Sequence, residues 1–308
     1  VIKRFSLPGY YNHFNEIQVL LQYYKQHSDY FYPDRIIDSA YDLPPGLIWN
    51  GGRINLSNKH NKISYDQLFS FYHSIPNFHL RHTCTNMLLG EEEILNKECN
   101  NFLKKYVSQQ DKIIVNNPVL YTYLRKNYSF EIIFSTTLCL DDIDTINKLS
   151  ENNIYVLNYN YNNNDDYLRQ LKHPEHIEIL CGEPCVDNCP DRLQHYRTIS
   201  KQQLGLPLDD NDIIQCRHRV MTEVITPQTE FDVIQNRANA IHNDRIEALT
   251  AQGFQYFKIS GRFTSTPVFF KLISYYLILP EKREEAEKEL CKEVAKYQLC
   301  QKLKLKLN

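Results

Sequence analysis

The chain has 308 residues and a mass of 36.6 kDa, with 35 Lys and Arg against 37 Asp and Glu for a formal charge of −2. An apolar share of 42%, with 22 Tyr and 15 Phe but a single Trp, excludes a disordered, collagenous or coiled-coil chain. The balanced charge gives no general attraction for nucleic acid or an anionic membrane, no run of eighteen apolar residues marks a membrane span, and the opening VIKRFSLPGYYNHF lacks a signal peptide's apolar core, so we expect a soluble, cytoplasmic protein.

Strand-like and helix-like segments alternate from the start to about residue 270. The first strand falls at 2–6, ends at Leu7, Pro8 and Gly9, and leads into an amphipathic helix through Ile17, Leu20, Leu21 and Tyr24. A second extended region covers 35–41 and 46–49 and closes at Asn50, Gly51, Gly52 and Arg53. Then come a helix at 65–73, a strand at 78–83 and a helix at 91–107, whose acidic first turn complements the helix dipole. Strands at 112–115, 130–135 and 154–157 alternate with helices at 119–126 and 141–150. The run YNYNNNDD is a loop, followed by a short helix at 167–171, a strand at 177–180 and a last strand at 254–259.

About eight strands, most followed by a helix, predict an α/β fold of the (β/α)8 TIM-type barrel class, with an open doubly wound sheet as the alternative. Residues 1–280 would form the barrel and carry the site. Residues 281–308 would add a C-terminal amphipathic helix, through Ala286, Leu290, Val294 and Tyr297, and a basic tail with Lys302, Lys304 and Lys306.

Nine cysteines are present, three of them within nine residues. The segment IEILCGEPCVDNC is a strand emptying into Cys181, Cys185 and Cys189, at the end of the barrel where such folds place their sites. Gly182, Pro184 and Pro190 oppose a continuous helix there, and Cys216 could return a further thiolate. These spacings are not the paired CxxC of zinc ribbons and favour an iron-sulfur cluster over zinc, while buried, unligated thiols remain the plain alternative. A second motif, FKISGR, sets Lys258 on a strand and Arg262 just past its end, where a guanidinium can grip a carboxylate or phosphate. Arg53 and Asn86 lie near other strand ends and join Lys258 and Arg262 as candidate substrate contacts. Glu183 and His195, a few residues from the thiols, are candidate proton handlers.

On EILCGEPCVDNC and KISGR, with Cys216 between them, the chain resembles the collagenase-like peptidase family U-thirty-two. The family's Ser-Gly-x-Cys continuation after the first cysteine is absent. The resemblance implies a (β/α)8-type barrel and, in some members, a four-iron four-sulfur cluster serving oxygen-independent hydroxylation. Carried over by motif, Cys185, Cys189 and Cys216 would be ligands, with Cys181 or Cys139 as the fourth. The leading expectation is therefore an iron-sulfur oxidoreductase or hydroxylase acting on a small anionic or nucleotide-like substrate, with an electron-donor protein as partner. Two alternatives stand beside it: a cysteine- or metal-dependent peptidase, without support from an HExxH or GxSxG motif, and a zinc-stabilised binding module.

Overall fold

A computed structural model describes residues 1–52, 63–214, 216 and 226–307, with side chains described through residue 300. Eight parallel strands close on themselves in chain order: β1 Lys3–Pro8, β2 Arg35–Asp42, β3 His79–Cys84, β4 Lys112–Val115, β5 Glu131–Phe134, β6 Ile154–Val156, β7 Ile177–Cys181 and β8 Tyr256–Ile259. Closure runs through β1 and β8, with Phe5 opposite Phe257 and Ser6 opposite Lys258. The chain is thus a (β/α)8 barrel.

The helices are α1 Phe14–Gln26, α2 Tyr65–His73, α3 Lys97–Tyr106, α4 Pro118–Asn127, α5 Ile143–Ser150, α6 Asp165–Leu168, α7 Arg192–Gln203, α8 Pro227–Gln235, α9 Asn243–Ala251, α10 Thr266–Leu277 and α11 Arg283–Leu307. Their starts follow side-chain chemistry: Ser64, Asn96, Asn117, Asp142, Asn164 and Thr226 each accept a hydrogen bond from a first-turn backbone N–H. One such cap corrects the expected helix at 91–107. Asn96 leaves helical geometry (φ −50°, ψ 122°) to accept from Cys99 N, which splits the segment into a 3-10 turn at Glu93–Leu95 and α3. The expected extended stretch at 46–49 is a turn, closed by Asn50 N donating to Leu47 O. The sequence reading assigned no helix to α7, α8, α9 or α10.

Strand periodicity divides the interior in two. Phe5, Leu7, Leu80, Ile113, Ile132, Ile177, Ile179, Cys181, Phe257 and Ile259 pack outward into the helix layer, whereas Tyr41, Ile114, Ile133, Ile154, Val156 and Leu180 fill the lumen. Charge is also buried in the lumen. Arg81 and Glu178, both fully buried, form an ion pair, and Asp38 lies 3.5 Å from Arg81 Nη2. Asp38 is the extra residue of a bulge, because β1 pairs Phe5 with Ile37 but Ser6 with Ser39.

After Pro280 the chain forms α11, which buries Ala286, Leu290 and Val294 at a four-residue spacing against α1 and α10. Tyr23 donates to Glu289 Oε2 at 2.8 Å, and Lys271 pairs with Glu287 at 3.0 Å. No helix among the described residues is long and apolar enough to cross a membrane.

Candidate functional site

A cavity of about 320 Å³ opens at the C-terminal ends of the strands. Its volume is that of a small-ligand site. Tyr41, Thr83, Leu180, Lys258 and Ser260 reach it from β2, β3, β7 and β8 and the residues just beyond, and the loop after β7 brings Glu183, Cys185 and Cys189. His195, Cys216, Arg237 and Arg262 also line it, together with Glu230 and several hydroxyl side chains.

The β8 end turns sharply at Gly261, whose φ of 129° a residue with a side chain rarely adopts. That turn carries Arg262 across the mouth. Its Nη1 donates to Thr83 Oγ1 at 3.1 Å, Nη2 approaches Gly51 O at 3.5 Å, and Asp42 Oδ1 lies 3.7 Å from Nη1. Gly51 is equally constrained, for a Cβ there would stand 2.2 Å from Thr85 O. Burial raises the Asp42 carboxyl above its usual value, against the lowering effect of Arg262 and three backbone N–H groups.

Lys258 is 7% exposed, and its Nζ stands 3.8 Å from the centre of the Tyr41 ring. Burial lowers its amine to about 7; Glu178 opposes that shift, and the cations Arg81 and Arg262 reinforce it. Arg262 shares the same aromatic face, its Cζ 5.9 Å from the Tyr41 centroid.

The cysteine loop is tied down from both sides. Glu183 is almost fully buried and accepts from Cys185 N at 2.9 Å and from Ser260 Oγ at 3.4 Å, linking the β7 loop to the end of β8. Asn239 Nδ2 donates to Cys185 O at 3.2 Å, and Asn188 N donates to Asn160 Oδ1 at 3.1 Å. Beyond Cys189 the chain enters α7 through buried Arg192. This guanidinium lies 3.9 Å from the Tyr159 ring centre and donates to Asn158 Oδ1, Thr136 O, Thr136 Oγ1 and Tyr196 OH at 2.6–3.2 Å. It ties the loop to the ends of β5 and β6. The sequence reading passed over it, although its place three residues after Cys189 in CPDR was visible.

Of the four cysteines expected together, the structure brings Cys185, Cys189 and Cys216 to one cavity. Cys181 faces the other way. It is fully buried in the helix layer, one residue out of phase with lumen-facing Leu180, and burial raises its thiol far above the ordinary range. Cys139 does not line the cavity, and burial raises its thiol as well. Glu183, His195, Lys258 and Arg262 do line it. Asn86 does not: its amide donates to Ile48 O at 2.8 Å and Ser200 O at 3.4 Å and accepts from Leu88 N, bracing backbone. Arg53 lies outside the described residues.

Three soft thiols, the donor type that iron-sulfur clusters take, line one cavity, and Cys181 is not among them. A single zinc fits less well. Thiolates bound at about 2.3 Å around a tetrahedral ion converge closely, yet among the described residues the one trio with ligand atoms within 4.8 Å of one another is His173, Glu175 and His176.

A solved structure described as a U32 peptidase matches the chain with a TM-score of 0.50 and 13% identity over 85% of this chain and 94% of that one. The likeness is one of fold. No protein-family model matches the chain, and no curated protein matches it significantly.

Proposed function

We propose that the chain is an enzyme whose site is the cavity at the barrel mouth and whose substrate is a small anion, carboxylate- or phosphate-bearing and nucleotide-like at the upper size limit. Arg262 supplies the binding charge over the Tyr41 ring, and the Lys258 amine stands beside it over the same ring. Glu183, fixed between the β7 loop and Ser260, is the acid placed to accept or return a proton at the cavity wall, with His195 as a second candidate.

The observation that carries this reading is that Cys185, Cys189 and Cys216, from two separate segments, line the cavity that Lys258 and Arg262 line. Those three thiols would hold an iron-sulfur cluster. When bound, such a group supplies redox or Lewis-acid chemistry, and three protein ligands leave one iron open to substrate. An electron-donor protein is the partner this chemistry calls for.

Anaerobic purification with iron and sulfide quantitation and an electron paramagnetic resonance spectrum tests the assignment. Iron and acid-labile sulfide that disappear in C185S or C189S are expected; one zinc with neither iron nor sulfide would replace this reading with the zinc-stabilised module. A cysteine-dependent peptidase is the second reading, favoured by the description of the solved neighbour and by Cys185 and His195 lining one cavity. Metal-independent peptide cleavage abolished by thiol alkylation would establish it.

A further inference from the structure

Lys258 is in an unusual position for a lysine. It is the third residue of β8, turned to the lumen in register with Leu180, and it lines the cavity while remaining almost wholly buried. Buried ammonium groups normally find a carboxylate. Among the described residues Lys258 makes no ion pair, and its recorded partner is the face of Tyr41. Glu178, the anion that acts on it most strongly, is already committed to Arg81, and Arg262 adds a second repelling cation at the mouth. The surroundings therefore lower the amine to about 7, so that a large share of it is uncharged near neutral pH.

An uncharged primary amine in a sheltered cavity is a nucleophile toward carbonyl carbon, whereas an ammonium is not. Arg262 stands beside it over the same ring, a guanidinium suited to a planar carboxylate. Together these are the two groups needed to hold a compound carrying a ketone next to a carboxylate.

We propose that Lys258 is the nucleophile of this cavity and forms an imine with the carbonyl carbon of a small 2-oxo acid whose carboxylate is held by Arg262. The inference rests on the cavity being a site for a small anion. In the step, the amine nitrogen bonds to the carbonyl carbon and the carbonyl π electrons move to oxygen. That oxygen then leaves as water, carrying one proton from the nitrogen and one from solvent. The product is a protonated imine, and nothing is oxidised or reduced.

The test is reductive trapping in the intact protein, with pyruvate as probe and cyanoborohydride to fix any imine as a secondary amine. One reduced pyruvyl group per chain, mapped to Lys258, is expected in the wild type and in neither K258M nor K258R. Melting curves of K258M and K258R matched to the wild type show that loss of the adduct is not loss of the fold. Between pH 6 and pH 8 the neutral fraction of an amine titrating near 7 rises about tenfold, and labelling should follow, whereas exposed lysines stay protonated throughout. R262Q should label at least about tenfold more slowly.

Lactate, which has the carboxylate but no carbonyl, separates the two readings. If lactate stabilises the wild type and not R262Q while pyruvate leaves no adduct on Lys258, the imine is refuted and the anion site stands. If lactate does not bind and Lys258 is not labelled, both fall. Adducts scattered over surface lysines, undiminished in K258M, also overturn the proposal.

Discussion

Replacing Arg81 with Met should be among the most damaging single changes in the lumen. Arg81 and Glu178 are both fully buried, and removing the cation strands a carboxylate whose Oε2 has no hydrogen-bond partner. Breaking a buried pair from one side costs about 3–5 kcal/mol, because the surviving charge loses its compensation. His79, which accepts from Arg81 Nε, gives some relief, whereas Asp38, 3.5 Å from Arg81 Nη2, loses the same compensation as Glu178, so we expect the middle of that range. For a chain of this size that is a fall in Tm of about 6–12 °C. E178M should be similarly costly. The double variant R81M/E178M removes both charges and should recover at least about 2 kcal/mol relative to the sum of the single effects. Urea unfolding followed by circular dichroism measures all four corners of the cycle. Additivity within about 0.5 kcal/mol would refute the reasoning, since it would mean the two charges are stabilised independently of each other. The pair also sets the amine above it: R81M should raise the Lys258 pKa and E178M lower it further, since these residues act on Lys258 in opposite directions.

Three further outcomes follow from the same structure. C181S should retain whatever iron the protein binds and lose stability instead, about 1–3 kcal/mol for a hydroxyl placed in an apolar helix layer, whereas C189S should lose iron; metal analysis and melting curves separate the two. Arg192→Lys should loosen the cysteine loop, because one ammonium cannot reach Asn158, Thr136 and Tyr196 together, and should accelerate hydrogen exchange over 183–192 without abolishing the barrel. Asp111 accepts from Leu80 N, Ser108 N and His73 Nε2, and against the raising effect of burial this bond to His73 and the His82 ring 3.6 Å away hold its carboxyl well below the usual range. A lowered pKa contributes stability above the unfolded value near pH 4 and loses it as the pH falls, so D111N should be less stable at pH 7 and flatter in its acid limb, read from Tm against pH.

The barrel was legible because eight short apolar runs, most followed by a helical pattern, report local chemistry that the fold leaves intact. The cap at Asn96 was legible in principle too, but a strong acidic-to-apolar pattern over 91–107 masked it. Of the site, the convergence of Cys185 and Cys189 with Lys258 and Arg262 on one cavity was anticipated from strand ends. Cys181 shows how proximity misleads. Its place beside Cys185 suggested a shared ligand, yet the two-residue period of β7, with Glu178 and Leu180 inward, already turned it outward. Asn86 illustrates the opposite limit, since nothing local announces that its amide will brace Ile48 and Ser200. Arg81 with Glu178 and Arg192 with Asn158 are pairings across 97 and 34 residues, and only the closed sheet brings them together.

The order of the strands has a bearing on how the protein must be made. Lys258 and Arg262 arrive with the last strand, long after the thiols at 185 and 189 have left the ribosome, and Glu183 waits for Ser260 to be anchored. Until β8 docks, β7 and β1 are both raw edges able to recruit a foreign strand. Any fragment ending before residue 256 should therefore be sticky and lack the Lys258 and Arg262 wall of the cavity, which makes this scaffold a poor choice for splitting into complementing halves near its C-terminal third.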